Sequence, residues 1–331
     1  MDRETKQLKR GLKRAGLSEQ AIEAAWPAWW SDEAAASRSA RAELRFTLAR
    51  KLGLSPRSLV GDRVEFVWKD VARFKHFTGD DELLQSALTS FGISIGRLLL
   101  QATRSEGELV EIAAEDLRKA VLRGRPFVDL SGLLAICWAL GIPVIHLRVF
   151  PLTAKAMHAM VVKAGGRYAI LLGRDARYPA PVAFTLAHEV GHVALGHLAT
   201  ACALIDAEDP AEATDHDAEE DSADRFALAL LTGEAEPDIR TNIDKFGARQ
   251  LAQAVLGAGP PRGIEPGTLA LCLAYRSNQW STAIAALRHI YTEPKPVWRE
   301  INGIAKGQLD WRALTDDNSE YLRNIMGVGD E

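Results

Sequence analysis

Two histidines and a glutamate in the middle of the chain have a spacing that suits metal-assisted hydrolysis. The segment reads His188-Glu189-Val190-Gly191-His192. Residues four apart lie on one face of a helix, so both imidazoles can bind one ion. Glu189 points about 100° round the helix axis, beside the open coordination position, where a general base for the attacking water has to lie. The pattern predicts a zinc hydrolase with His188 and His192 as ligands and Glu189 as the catalytic base.

The residues around this motif predict a helix that follows a small sheet. Pro181 suits the first turn of the helix, and Gly196 suits its C-terminal end. Two β-rich runs, 157–162 and 168–172, flank Gly165-Gly166, which is a good signal for a hairpin. Because the edge of such a sheet can align an extended chain through main-chain hydrogen bonds, hydrolysis of a peptide is favoured over other zinc-dependent hydrolyses.

A zinc site needs a third protein ligand, and the stretch 215–231 supplies the candidates. It is acidic at its start and then apolar and helical, and the helix dipole favours acids there without any catalytic purpose. Glu220 and Asp224 lie one turn apart on the face that continues towards the core. Glu220 is therefore the best-placed ligand, with Asp224 bonding the second nitrogen of a histidine. Glu219 and His216 remain alternative ligands.

Residues from about 129 to 231 resemble the ImmA/IrrE family of intracellular metallopeptidases. The family has F-T-x-A-H-E-x-G-H after a hairpin, and later E-x-x-A-(N/D)-x-F-A-x-x-L-L. Here residues 184–192 read FTLAHEVGH and residues 220–231 read EDSADRFALALL. The resemblance implies that Glu220 is the third ligand. Two positions depart from it: Asp224 stands where the family often has Asn, and Thr232-Gly233 stands in place of a Met-Pro.

The resemblance also implies a function. Members of the family typically cleave a partner helix-turn-helix repressor, so we expect a zinc-dependent endopeptidase that relieves repression of stress-response or mobile-element genes. The ligand set also suits Mn²⁺ or another divalent ion. Two alternatives stay open: a metallopeptidase that acts on a toxin or defence protein, and a regulator that binds a repressor or DNA without cleaving it.

The length of the chain predicts more than one structural unit. With 331 residues, 47% of them hydrophobic, the chain can bury a full core. We predict a helical N-terminal domain over 1–125 (a partner-binding or sensor module), a zincin-like metallopeptidase domain over 126–235, and a helical C-terminal region over 236–331, a candidate for substrate docking. The expected fold class is α+β and predominantly helical, with a small β-sheet packed on the HExxH helix.

Composition argues against several other classes of protein. The net charge of −4 does not suit a protein that binds nucleic acid or membranes with its whole surface. Residues 48–59 match the first half of a helix-turn-helix, but Gly61-Asp62 interrupt the second helix, so DNA binding through the N-terminal region stays only an alternative. Three distant cysteines suggest neither a thiolate site nor a disulfide frame. Without an apolar leader or an uninterrupted 18-residue apolar run, we expect a cytoplasmic protein without a membrane partner.

The sequence does not identify the group that stabilises the oxyanion. His158 lies on a strand that could border the cleft, and Tyr178 precedes the HExxH helix. Either is a candidate, with a structural or surface role as the alternative. His197 lies nine residues after His188, and we expect it on the opposite helix face as a surface or capping residue.

Overall fold

The computed structural model describes residues 2–60, 64–68, 71–75, 82–104, 112–152, 157–206, 217–241 and 246–329. Within these ranges the chain forms fourteen α-helices and one five-stranded mixed sheet. The predicted fold class, predominantly helical α+β with a small sheet, is confirmed.

The five strands lie between residues 72 and 206, and most of the described helices lie before or after that segment. The strands are β1 (Ala72–Lys75), β2 (Val144–His146), β3 (Ala159–Ala164), β4 (Arg167–Leu172) and β5 (Ala203–Asp206). The helices are α1 (Arg3–Arg14), α2 (Glu19–Ala25), α3 (Asp32–Ala36), α4 (Arg38–Leu52), α5 (Glu82–Gln101), α6 (Ala114–Leu122), α7 (Leu130–Ala139), α8 (Pro179–Ala194), α9 (Ala218–Thr232), α10 (Ala248–Ala258), α11 (Pro266–Ser277), α12 (Trp280–Ile290), α13 (Val297–Gln308) and α14 (Asp316–Met326).

The sheet has the strand order β1-β5-β3-β4-β2. Strands β3 and β4 form the predicted antiparallel hairpin, and Gly165 and Gly166 at its tip have φ angles of 59° and 76°. A two-residue turn with positive φ at both positions matches the twist of the strands, which explains the Gly-Gly pair. Strand β1 comes from the N-terminal part of the chain and lies parallel to β5 at one edge.

Each face of the sheet carries one long helix. Side chains alternate along a strand, so neighbouring residues such as Leu204 and Ile205 point to opposite faces. Leu204 packs into the hydrophobic core that also contains residues of α8, and Ile205 packs into the core that contains residues of α5. Helix α5 is long and apolar enough to cross a membrane by length and composition alone, but 67% of its most apolar stretch is buried inside the fold.

The described part of the candidate helix-turn-helix, residues 48–60 and 64–68, contains the end of one helix and a turn but no second α-helix. Helix α4 ends at Leu52 and is capped by Gly53, which has the left-handed conformation with φ of 67°. A single 3₁₀ turn follows at Ser58–Val60, and Leu54 forms an isolated bridge with Phe66. Within residues 54–60 and 64–68 there is no second α-helix. The division into three domains stays a prediction.

Candidate metal centre

The HExxH residues lie on α8, whose ends agree with the sequence prediction. The helix begins at Pro179 with prolines in its first turn, and Gly196 lies just beyond its end with φ of 73°. His188 and His192 are fully buried, and their Nε2 atoms lie 2.9 Å apart. The helix therefore directs both imidazoles to one point.

Helix α9 brings Glu220 to the same point. Asp217 caps the helix by accepting hydrogen bonds from the backbone N–H groups of Glu219 and Glu220. The close approach of α9 to α8 requires a small residue at Gly191, because an added Cβ there would lie 3.2 Å from both the Ala223 carbonyl oxygen and the Phe226 Cβ. This contact explains the glycine inside the HExxH motif.

The three predicted ligand side chains bring their donor atoms about as close together as ligands around one small ion. Glu220 Oε2 lies 3.3 Å from His188 Nε2, and Glu220 Oε1 lies 3.6 Å from His192 Nε2. Ligands bound to zinc at 2.0–2.1 Å in a tetrahedron are about 3.3 Å apart. The three side chains are also at most 1% exposed. Their donor atoms therefore enclose a small buried space that fits a single cation. Their role as ligands stays a prediction.

The second nitrogens of the two histidines also have partners. His188 Nδ1 lies 2.8 Å from Asp224 Oδ1, as the spacing predicted. A carboxylate can only accept, so Nδ1 carries a proton and Nε2 can offer its lone pair to an ion. His192 Nδ1 lies 2.8 Å from His197 Nδ1. The expectation that His197 lies on the opposite helix face is wrong, because the chain turns back at Gly196 and packs this ring against His192. Its backbone N–H does cap the helix, by donating to the His192 carbonyl oxygen.

The alternative ligands are placed differently. Glu219 forms a two-pronged ion pair with Arg73, at 3.0 and 2.5 Å, and so points towards strand β1. His216 lies outside the described residues. Among the described acids at the start of α9, Glu220 is the one within 3.6 Å of both histidines.

The sequence analysis did not identify Asp206, a fourth acidic group at this centre. Asp206 is fully buried at the end of β5, and its Oδ2 lies 3.8 Å from His188 Nε2. Donor atoms of Asp206, Glu220 and the two histidines all lie within 4.8 Å of one another. The available signal was the run Ala203-Leu204-Ile205-Asp206, because alternation along such a strand directs an acid at its end to the face that α8 covers.

The charges around the histidines favour a cation at this point. Burial opposes the charged form of His188, but hydrogen bonds with Asp224 and Glu220 outweigh it and raise its pKa to about 10. Burial and the neighbouring His188 lower the pKa of His192 to about 2. Burial also opposes the charge of Glu220, yet its bond with His188 lowers its pKa to about 2. The carboxylates thus concentrate negative charge where the two Nε2 atoms meet.

Glu189 is fully buried beside Asp206. Burial, followed by the negative charge of Asp206, raises the pKa of Glu189 well above its usual value. A carboxylate with a raised pKa accepts a proton more readily than one in water. The surroundings of Glu189 therefore suit the predicted base.

The two oxyanion candidates lie in different surroundings. His158 is buried, and its Nε2 lies 2.9 Å from the Thr185 hydroxyl on α8. Burial lowers its pKa to about 3, so this imidazole is neutral. Tyr178 stacks on Tyr291 with ring centres 5.5 Å apart. The oxyanion role of either residue stays a prediction.

Comparison with known proteins supports a peptidase. A family model described as Peptidase U49 matches residues 178–258, the segment that carries α8, α9 and α10. The match does not support the ImmA/IrrE family in particular. No curated protein matches the chain. The segment that converges on the candidate metal centre is thus the segment that resembles a peptidase.

Proposed function

We propose that this protein is a zinc-dependent endopeptidase with His188, His192 and Glu220 as metal ligands and Glu189 as its catalytic base. One observation carries the proposal: two imidazole nitrogens and the carboxylate of Glu220 converge within 3.6 Å of one another, inside the segment that matches a peptidase model.

The residues of the site divide the chemistry among them. A zinc ion, when bound, polarises the scissile carbonyl and lowers the pKa of the attacking water. Glu189 takes the proton of that water and then delivers a proton to the departing amine. Asp206 favours the first of these steps, because its negative charge raises the affinity of Glu189 for a proton. Asp224 holds the His188 ring so that its Nε2 faces the ion.

For the substrate we propose a partner helix-turn-helix repressor, a proposal supported by the resemblance of residues 129–231 to the ImmA/IrrE family. A cavity of about 720 Å³ lies between α8 and α9 on one side and α11 and α12 on the other. Its lining includes Phe184, Tyr275 and Trp280, and Tyr275 is 67% exposed. The cavity supports a docking role for the C-terminal helices, since exposed aromatic side chains are typical of protein contact surfaces.

A regulator that binds without cleaving is the second candidate function. The metal donors and Glu189 are at most 1% exposed, so a peptide reaches them only if the residues that cover them move. A toxin or defence protein as the substrate remains the alternative within the peptidase class.

The experiment compares hydrolysis by the wild type, Glu189→Gln and Glu219→Gln, with zinc present or removed by a chelator. The substrates are candidate helix-turn-helix repressors and an unstructured protein. We expect Glu189→Gln to keep its metal and to lose about 10²–10⁴-fold in turnover, the usual contribution of a general base. Glu219→Gln is the matched control and should stay near the wild-type rate. Full activity of Glu189→Gln contradicts the mechanism, and repressor binding without any cleavage supports the regulator.

A further inference from the structure

The acidic start of α9 faces two basic residues on β1, a strand from outside the segment that resembles a peptidase. Arg73 and Lys75 are two residues apart, so they lie on the same face of the strand. Arg73 pairs with Glu219, at 3.0 and 2.5 Å. Lys75 Nζ lies 2.5 Å from an Asp217 oxygen and 3.2 Å from Glu220 Oε1. The lysine therefore contacts a candidate metal ligand directly.

Lys75 is unusually well buried for a lysine. It is only 7% exposed, and lysines are almost never buried without a partner because burial of a charge is costly. Burial opposes the charge of Lys75, but the hydrogen bond with Asp217 and the negative charge of Glu220 outweigh it, so the pKa of Lys75 is raised. The carboxylates of Asp217 and Glu220 thus fix the position of the ammonium group, and the ammonium group in turn restrains both carboxylates.

The sheet register fixes the position of this lysine. Lys75 is the residue of β1 that lies opposite Asp206 of β5, and paired residues on adjacent strands point to the same face. Asp206 already lies at the metal centre, 3.8 Å from His188 Nε2. The pairing of β1 with β5 therefore places Lys75 next to the metal centre.

The two oxygens of Glu220 have different neighbours. Oε1 lies 3.2 Å from Lys75 Nζ and farther, 3.6 Å, from His192 Nε2, and Oε2 lies 3.3 Å from His188 Nε2. A glutamate that binds an ion through both oxygens occupies two coordination positions, whereas a catalytic zinc site needs one position free for water. A hydrogen bond donor that engages Oε1 leaves Oε2 for the ion.

We propose that Lys75 is a positioning residue that holds Glu220 as a one-oxygen ligand and so keeps a coordination position open. The inference rests on the proposed metal site. It makes β1, and through it the N-terminal part of the chain, a component of the metal centre, although the peptidase match begins only at residue 178.

The test measures zinc affinity, the absorption spectrum of the cobalt-loaded protein, and kcat and KM. The variants are Lys75→Met, Lys75→Arg and, as the matched control, Arg73→Gln, which breaks an ion pair to Glu219 and not to a ligand. We expect Lys75→Met to lose about 10–100-fold in zinc affinity, as for other partners of metal ligands. Its cobalt spectrum should change, and kcat should fall with KM unchanged. Lys75→Arg should recover part of both losses, and Arg73→Gln should stay within about twofold, the effect of a partly exposed ion pair.

A thermodynamic cycle keeps the test valid if Lys75→Met is less stable. In a Glu220→Gln background, Lys75→Met should cause no further loss of zinc affinity, because its partner oxygen is already altered. An equal loss in both backgrounds overturns the proposal, and so does an unchanged affinity and cobalt spectrum in Lys75→Met. A wild type that binds no zinc overturns the proposed function as well. A wild type that binds zinc, with Lys75 variants that bind it equally well, overturns only the role of Lys75.

Discussion

The two faces of the central sheet bury different kinds of side chain. Helix α5 covers one face with apolar contacts, and the backbone comes so close that glycines are needed: a Cβ at Gly96 would lie 2.7 Å from Val162. Helix α8 covers the other face, and at one end of it buries Glu189, two histidines and Asp206.

The difference shows where stability and function reside. Apolar burial stabilises the fold by about 25 cal/mol per Å² and needs no specific partner. Buried ionisable groups cost free energy unless they are paired or bind a metal. Apolar side chains on both faces would be enough to stabilise the fold. The buried ionisable groups at one end of α8 are therefore better explained by a function than by stability.

The largest expected difference between the two faces is a loss of zinc affinity on substitution of Asp224, on the α8 side. Asp224→Ala should lower zinc affinity by about 10–100-fold, because His188 loses the acceptor that fixes its ring. Asp224→Asn keeps an acceptor oxygen and should lose much less. Titration against a chromophoric chelator measures both. Equal affinities for the alanine variant and the wild type would show that this bond does not orient the ligand.

A smaller effect is expected on the α5 side, where the same chemical change is made in two helices. Gly96→Ala should destabilise the fold by about 1–2 kcal/mol, since overpacking costs about 1–3 kcal/mol and the gain in helix propensity offsets up to about 1 kcal/mol. Gly303→Ala is the control: in α13 an added Cβ meets no atom within 4 Å, so it should stabilise by up to about 1 kcal/mol. Urea unfolding measures both changes.

Zinc affinity provides the second measurement for the glycine pair. Neither variant should change it, because both lie away from the donors. A loss of zinc binding in Gly96→Ala, with the fold intact, would mean that the two faces are not independent.

Local spacing made much of the metal centre predictable. His188 and His192 lie one helical turn apart, as do Glu220 and Asp224, so helical geometry alone brings each pair together. The Gly165-Gly166 hairpin was predictable for the same reason, because the turn chemistry is local.

The parts that were not predicted depend on tertiary structure. Asp206 and Lys75 lie opposite each other only because β1 and β5 pair, although residues 75 and 206 are 131 positions apart in the chain. No periodicity in the sequence encodes that pairing. His197 was assigned to the wrong face because the helix was extrapolated past Ala194, whereas the chain turns back at Gly196.

The most direct test of the account is the metal content of the wild type, Glu220→Ala and Glu219→Ala, each purified without added metal and then supplied with zinc. Glu219 is adjacent in sequence and pairs with Arg73, so it is the matched control. The account predicts about one zinc per chain in the wild type and in Glu219→Ala, and a loss of zinc in Glu220→Ala. A wild type that takes up no zinc, or a loss in Glu219→Ala but not in Glu220→Ala, would contradict it.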